Sequence, residues 1–277
     1  MSRGWSKAEV EATVEDYLDM LFLELSGKRY NKSEHRRNLQ SKLNGRSDGA
    51  VELKHQNISA VMIEMGIPYV NGYKPRANYQ RSLLPDVVSR LVSKRFDLHQ
   101  MLAVDVEESP SVLPQFDFNA VLEDPPKNDK VSEGEASCSF KNINYLEREA
   151  RNQAIGDFGE EFVLAYEKER LERVNKGFLA DRIEHVARTQ GPSAGYDIRS
   201  YNADGTDRFI EVKATKYGKN IPFFVTQNEL KFSQNNANRY FLYRVFELKT
   251  QPRMFSLSGN LALHCHLKPT EFMAVVG

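Results

Sequence analysis

Acidic and basic side chains spaced regularly around a short turn are the clearest sign of chemistry in this sequence. Between Tyr196 and Lys213, two runs of alternating residues flank the tripeptide Ala203, Asp204 and Gly205. This pattern predicts a β-hairpin with a three-residue loop, because glycine adopts the left-handed conformation that such a loop requires.

The two faces of the predicted hairpin differ in chemistry. On one face the facing pairs are apolar, Tyr196 with Val212 and Ile198 with Ile210. Side chains alternate along a strand, so the opposite face carries Asp197 opposite Glu211, followed by Lys213. A β-bulge would shift this register by one residue, but the apolar pairs favour the unshifted register.

Two carboxylates held side by side repel each other, and a divalent cation relieves that repulsion. Mg2+ prefers carboxylate oxygens and can also bind a phosphate group, which it polarises while activating a water molecule. We therefore expect Asp197 and Glu211 to bind Mg2+, with Mn2+ as a substitute. Lys213 would orient the attacking water or offset negative charge on the phosphate.

The arrangement of Asp197, Glu211 and Lys213 resembles the PD-(D/E)XK nuclease superfamily, which includes many restriction and repair endonucleases. The resemblance implies that the two acids bind the metal and that the lysine assists catalysis. The stretch from Gly156 to Val163 resembles the first-helix motif of the same superfamily, in which a glutamate also approaches the metal. Glu160 fits that position best, and Glu161 is the alternative.

A narrower resemblance covers residues from about 150 to 250. Gly156 to Val245 is similar to the domain family named after the C-terminal region of the plant protein NO VEIN. The supporting stretches are Gly195–Ile198, Ile210–Thr215, Pro222–Leu230 and Arg239–Val245. The N-terminal hundred residues, especially residues 46–60, resemble a helical module found in front of bacterial endonuclease domains. Together these resemblances imply a restriction or defence enzyme that acts on foreign or modified DNA.

The N-terminal hundred residues combine helical periodicity with basic charge. Residues 28–95 contain fourteen Lys and Arg against five Asp and Glu. Basic side chains interleaved with tyrosines are typical of surfaces that bind nucleic acid. We expect double-stranded DNA to bind there and near the candidate active site. The residues predicted to contact it are Arg36, Arg37, Lys54, Tyr73, Lys74, Arg76, Arg81, Lys216 and Gln227.

Capping boxes formed by Ser6 with Glu9 and by Thr226 with Glu229 each predict the start of a helix. Another long helix is predicted from Tyr145 to about Val174, followed by strands at residues 196–201, 208–214, 223–225, 240–246 and 254–257. This order of elements indicates an α+β or α/β fold with distinct domains.

Residues 1–103 form a mainly helical, basic domain, and residues 104–144 form an acidic, proline-containing linker. Residues 145–277 are predicted to form a mixed β-sheet core flanked by helices, and the PD-(D/E)XK resemblance implies that this core is restriction-endonuclease-like. An alternative for the linker is that Val112 to Val121 packs onto one of the domains, since Leu113, Phe116 and Phe118 are apolar.

Composition favours a cytoplasmic protein. The sequence has no apolar run of the ~20 residues that a membrane span needs and no apolar signal-peptide core, so we expect no membrane partner. Cys138 and Cys265 are the only cysteines, which leaves no disulfide framework or four-cysteine zinc site. A homodimer is a reasonable expectation, because cutting both DNA strands calls for two active sites.

Other functions fit parts of the sequence. An isolated Glu-x-Lys is common on solvated strand edges, and charge runs usually mark solvated helix faces. A non-catalytic DNA-binding protein could keep a nuclease-like fold as a scaffold. A third possibility is an adaptor whose N-terminal helices recruit a protein while its C-terminal domain acts on RNA.

Overall fold

The computed structural model describes residues 4–108, 117–126 and 144–270. The chain divides into two compact units, one helical and one built on a β-sheet. The helical unit consists of the described residues within Met1–Pro110, Pro126–Ile155 and Thr215–Pro222. The sheet unit consists of the described residues within Ser111–Pro125, Gly156–Ala214 and Phe223–Gly277.

The helical unit packs its apolar helix faces into one core. Its helices are α1 (Lys7–Leu25), α2 (Lys32–Gln40), α3 (Asp48–Glu64), α4 (Leu83–Lys94), α5 (Phe96–Glu107) and α6 (Tyr145–Ala150). A capping box between Ser6 and Glu9 begins α1, because it satisfies amides that the first turn leaves without partners. Apolar residues of α1, α3, α4 and α5 form the buried core.

Helix α5 was not predicted from the sequence, because its acidic C-terminal end falls in the segment expected to be a linker. Its buried residues include Leu98, Leu102 and Val106, a helical spacing that places one face in the core. The start of the predicted linker is therefore helical as far as Glu107. Residues 109–116 and 127–143 of that prediction lie outside the described residues.

The sheet unit contains a five-stranded mixed sheet with helices beside it. Its strands, in spatial order, are β1 (Glu184–His185), β2 (Ile198–Tyr201), β3 (Asp207–Ala214), β4 (Tyr240–Phe246) and β5 (Arg253–Ser258). Its helices are α7 (Gln153–Arg173), which begins just before the division, α8 (Gly177–Ala180), α9 (Val186–Thr189) and α10 (Gln227–Asn235).

All neighbouring strands are antiparallel except β3 and β4, which are parallel and connected through α10. The expected mixed sheet flanked by helices is thus confirmed. The strand predicted at residues 223–225 is absent from the described structure. Phe223 and Val225 pack instead on the apolar cluster around Tyr240 without pairing in the sheet.

The single long helix predicted from Tyr145 to about Val174 is two helices in the structure. Helix α6 ends at Ala150, and Asn152 accepts a hydrogen bond from the Ala154 amide just before α7 begins. An asparagine side chain that caps a new helix in this way competes with continuation of the old one. The division between units falls after Ile155, rather than at the predicted domain start of 145.

The described part of the predicted linker, residues 117–126, belongs mainly to the sheet unit. The Phe118 ring packs 5.4 Å from the Phe162 ring of α7. The Val121 carbonyl accepts a hydrogen bond from the Met254 amide, and the Glu123 amide donates to the Met254 carbonyl. The alternative in which this region packs onto a domain therefore holds for these residues.

Within the described ranges, no helix is both long enough and apolar enough to cross a bilayer.

Candidate active site

The hairpin that carries the site has the predicted register between β2 and β3, but the predicted pairs of Tyr196 with Val212 and of Asp197 with Glu211 are not part of its regular pairing. Ile198 pairs with Ile210, and Tyr201 pairs with Asp207. The loop is also as predicted: the Asn202 amide donates to the Thr206 carbonyl at 2.9 Å, and Gly205 has a φ of 87°. Only glycine adopts that conformation readily.

Asp197 lies where the regular pairing of β2 ends. Its amide donates to the Ile210 carbonyl at 2.9 Å, although Ile198 is the ladder partner of Ile210. Two residues opposite one is the pattern of a β-bulge. The Asp197 side chain accepts a hydrogen bond through Oδ2 from the Val212 amide at 2.8 Å. The bulge therefore fixes the carboxylate against β3, next to Glu211.

Glu211 and Lys213 project from the same face of β3, as their spacing requires. Lys213 Nζ lies 2.6 Å from Glu211 Oε1 and 3.0 Å from Glu229 Oε2. Glu229 belongs to α10, whose first turn therefore lies over this face of the hairpin. The Glu211 side chain is only 4% exposed, so the ion pair lies in a largely dry environment.

Glu160 reaches the site region from α7, which packs closely on the sheet. A Cβ atom added at Gly159 would lie 2.6 Å from the Cβ of Ala214 on β3, so only glycine permits this approach. The Glu160 carboxylate pairs with Nε2 of His185 on β1. The structure thus brings Glu160 to the sheet but engages it with a histidine. Glu161, the alternative, pairs with Arg188 and is about half exposed.

A buried network holds α7 against the sheet. The fully buried Glu167 accepts hydrogen bonds from Ser200 Oγ at 2.6 Å and from the Tyr243 hydroxyl at 2.8 Å. Arg170 donates to the same carboxylate at 2.7 Å. Buried carboxylates need such partners, and here they come from α7, β2 and β4. The network fixes the helix that carries Glu160.

Burial shifts the ionisation of the site residues. It raises the pKa of Asp197 to about 6, and the nearby Glu160 carboxylate adds to the rise while the Val212 hydrogen bond opposes it. Burial also raises the pKa of Glu211, an effect that the Lys213 ammonium opposes. Burial alone would lower the pKa of Lys213, but the carboxylates of Glu211 and Glu229 outweigh it and raise that pKa.

The donor set fits a magnesium ion held by two carboxylates. Neither Asp197 Oδ1 nor Glu211 Oε2 accepts a hydrogen bond from the described residues. Mg2+ commonly takes one or two carboxylates and keeps several waters. Within the described ranges, no group of three or more His, Cys, Asp or Glu side chains is preformed to hold a metal ion. The three-ligand set that includes Glu160 therefore remains a prediction.

The sequence of this unit was compared with known proteins. Residues 159–257 match the family model described as Protein NO VEIN, C-terminal. The matched stretch contains Glu160, Asp197, Glu211, Lys213 and Glu229, so the resemblance expected for this part of the chain is confirmed. No curated protein and no solved structure matches the chain. The wider PD-(D/E)XK assignment remains a prediction.

Three residues predicted to contact nucleic acid are buried. Tyr73 packs in the core, with its ring 4.8 Å from that of His55. The Lys54 ammonium lies 4.7 Å from the Trp5 ring, and burial lowers its pKa to about 8. Lys216 is 4% exposed and pairs with Asp105. Because these side chains are buried, they do not form the nucleic-acid-binding surface that the sequence pattern predicted.

The other residues predicted to contact DNA lie nearer the surface and differ in how exposed they are. Arg36 is partly exposed and pairs with Asp48 at 3.0 Å. Lys74 is half-buried. The exposed members of the set are Arg37, Arg76, Arg81 and Gln227.

Folding also offsets the basic surplus of residues 28–95. Acidic residues of α1 pair with arginines from that region: Glu9 with Arg46 at 2.8 Å and Asp19 with Arg95 at 2.7 Å. Over the described residues of the helical unit, nineteen Lys and Arg stand against seventeen Asp and Glu. The helical unit is therefore close to neutral, and any basic surface on it is local.

Sequence reasoning missed two residues at the site. Glu229 was predicted only as half of a capping box with Thr226, a role that the structure confirms. Its second contact, with Lys213, depends on how α10 packs on the sheet, which no local pattern encodes. His185 belongs to a strand of two residues that carries no periodic signal.

Proposed function

We propose that the sheet unit is a metal-dependent nuclease domain that hydrolyses DNA phosphodiester bonds. The observation that carries this proposal is the convergence of Asp197, Glu211 and Lys213 at one end of the hairpin. The element order supports it: a helix, an antiparallel hairpin, a helix and a strand parallel to the hairpin's second strand. This is the architecture expected from the PD-(D/E)XK resemblance.

The three residues have two roles in the proposal, metal binding and charge stabilisation. Asp197 and Glu211 would hold a divalent cation through the oxygens that make no hydrogen bond with the described residues. When bound, such an ion supplies Lewis-acid polarisation of a phosphate oxygen and lowers the pKa of a water molecule. Lys213 would present its ammonium to the negative charge that develops on the phosphate, in a setting where burial strengthens the interaction.

We also propose that the protein binds double-stranded DNA through exposed basic residues and acts in defence against foreign or modified DNA. The exposed side chains of Arg37, Arg76 and Arg81 in the helical unit support binding. Gln227, exposed in the first turn of α10 close in sequence to Glu229, supports a contact near the active site. The defence role rests on the resemblance of the N-terminal module to those of bacterial endonucleases.

A non-catalytic DNA-binding protein is the second candidate, and one observation favours it. Lys213 already forms ion pairs with Glu211 and Glu229 within the chain. These pairs give the buried Glu211 carboxylate a positively charged partner without a cation, and fold alone does not establish activity.

The experiment that separates the two candidates is a cleavage assay on plain, methylated, hydroxymethylated and glucosylated plasmid DNA. The full chain is incubated with Mg2+, with Mn2+, or with a chelator. The proposal predicts nicked or linear products with metal on at least one substrate and none with the chelator. Linear product would further indicate paired active sites. DNA binding without cleavage of any substrate would establish the scaffold function instead.

A further inference from the structure

The Lys213 ammonium is held by two carboxylates that belong to different elements. Glu211 lies on the same strand as Lys213, whereas Glu229 lies in the first turn of α10. The side chains of Lys213 and Glu229 are 19% and 14% exposed, so solvent screens the contact only partly. Other charged groups nearby are Asp197, at the start of the hairpin, and Arg244, the partner of Lys213 on β4.

Glu229 is rigid because it is also part of a capping box. Its Oε2 atom accepts a hydrogen bond from the Thr226 amide at 3.0 Å, and the Thr226 hydroxyl accepts one from the Glu229 amide at 3.2 Å. Reciprocal bonds of this kind fix the glutamate side chain against the helix start. The carboxylate is therefore preorganised at the place where the Lys213 ammonium lies.

Glu211 has two competing partners in the proposed function. A divalent cation and the Lys213 ammonium both require its negative charge, and the ammonium already lies 2.6 Å from Oε1. If Glu211 were the only acid near Lys213, a cation bound to Oε2 would draw negative charge away from Oε1 and weaken the ion pair with the ammonium. A buried ammonium that loses its partner is strongly destabilised. A second carboxylate beside Lys213 removes that difficulty.

We propose that Glu229 is a positioning residue that holds the Lys213 ammonium in the site while Glu211 binds a divalent cation. This inference rests on the proposed nuclease function and assigns to Glu229 a role beyond helix capping. Glu229 acts through Lys213 and does not itself contact the cation or the DNA.

A double-mutant cycle on Mn2+ binding tests this role without requiring DNA cleavage. Four full-length proteins are compared by calorimetry and by the electron paramagnetic resonance signal of Mn2+: wild type, Glu229→Gln, Lys213→Met and the double variant. Glutamine keeps an oxygen that can accept the Thr226 bond but removes the charge. We expect Glu229→Gln to weaken Mn2+ binding about tenfold, in the range for residues that support metal ligands.

The decisive comparison is the effect of Glu229→Gln on Mn2+ affinity in the Lys213→Met protein and in the wild type. With Lys213→Met, no ammonium is left for Glu229 to hold, so adding Glu229→Gln should change Mn2+ affinity less than about twofold. Thr226→Ala is the matched control, because it removes the hydroxyl half of the capping box and leaves the Glu229 carboxylate beside Lys213. Its Mn2+ affinity should fall less than that of Glu229→Gln, because the Thr226 amide still donates to the charged carboxylate. If Lys213→Met does not fold, Lys213→Gln serves as the neutral background.

The possible outcomes separate this inference from the proposed function. Equal weakening by Glu229→Gln in both backgrounds would show that Glu229 acts through its own charge, and no weakening in either would show that it has no role; both overturn the inference alone. A wild-type protein that binds no Mn2+ would overturn the metal-dependent function and this inference with it.

Discussion

Asp197 accepts a hydrogen bond from the backbone amide of Val212, 2.8 Å away across the hairpin. This bond joins the bulged end of one strand to the residue between Glu211 and Lys213 on the next. The side chains proposed to act on a phosphate are thus tied to each other through the backbone and not only through their own contacts. We expect substitutions at packing residues to change stability and substitutions at exposed arginines to change DNA binding. Substitution of Lys213 should change the cleavage rate.

Gly159 determines how closely α7 approaches the sheet. Gly159→Ala would place a Cβ atom 2.6 Å from that of Ala214, so we expect a loss of stability of about 1–3 kcal/mol as the helix shifts. Gly156→Ala in the same helix is the control, because its Cβ atom would meet no atom within 4 Å. That variant should gain about 0.5–1 kcal/mol from helix propensity. Urea unfolding followed by circular dichroism measures both, and equal stability of the two variants would contradict the packing described.

Lys216 should contribute to stability and not to DNA binding. Its ammonium pairs with the buried Asp105, so Lys216→Ala leaves that carboxylate without its charged partner, at a cost of about 3–5 kcal/mol. The exposed Arg37 should behave oppositely. Arg37→Ala should change stability by less than about 0.5 kcal/mol but weaken DNA binding and reduce its salt dependence.

Unfolding and DNA titrations of these two variants test the assignment. Lys216→Met keeps much of the side-chain volume and provides a folded sample if the alanine variant is too unstable. Loss of DNA affinity in a stable Lys216→Met protein would show that this lysine contacts DNA after all.

His55 should make the helical unit sensitive to acid. Burial, together with the positive charges of His35 and Lys32, lowers its pKa to about 3 from the ordinary 6.5. Between these values the unfolded chain binds a proton that the folded chain excludes, so stability present above pH 6.5 is lost as the pH falls towards 3. The neighbouring Asp16 has a raised pKa because of burial, which acts in the opposite direction.

The variant His55→Phe isolates the histidine contribution. Neither ring nitrogen of His55 has a hydrogen-bond partner among the described residues, so the substitution removes no hydrogen bond and should cost less than about 1.5 kcal/mol at neutral pH. Urea midpoints measured from pH 7 to pH 4 should fall less steeply than in the wild type. An unchanged slope would show that another group causes the acid sensitivity.

The hairpin and the helix starts could be predicted because their signals are local. The loop around Gly205 and the alternation of apolar residues define the register within a few residues of each contact. The capping boxes at Ser6 and Thr226 each depend on residues three positions apart. Such features require no knowledge of the rest of the fold.

Burial of polar residues could not be predicted in the same way. Lys216 and Tyr73 have the composition of a surface that binds nucleic acid, but distant elements enclose both of them. Lys216 meets Asp105, more than a hundred residues earlier in the chain. The pairing of α1 acids with arginines of later segments is equally non-local, so the basic surplus read from residues 28–95 did not describe the folded surface.

Lys213 is proposed to assist DNA cleavage, and its replacement tests that central role most directly. Wild-type protein and Lys213→Ala are compared on the same DNA substrate, with Mg2+ for cleavage and with a chelator for binding. We expect the variant to bind DNA as tightly as the wild type and to cut at least about a hundredfold more slowly, as on loss of a group that stabilises charge in the transition state. Cleavage by Lys213→Ala at the wild-type rate would contradict this role.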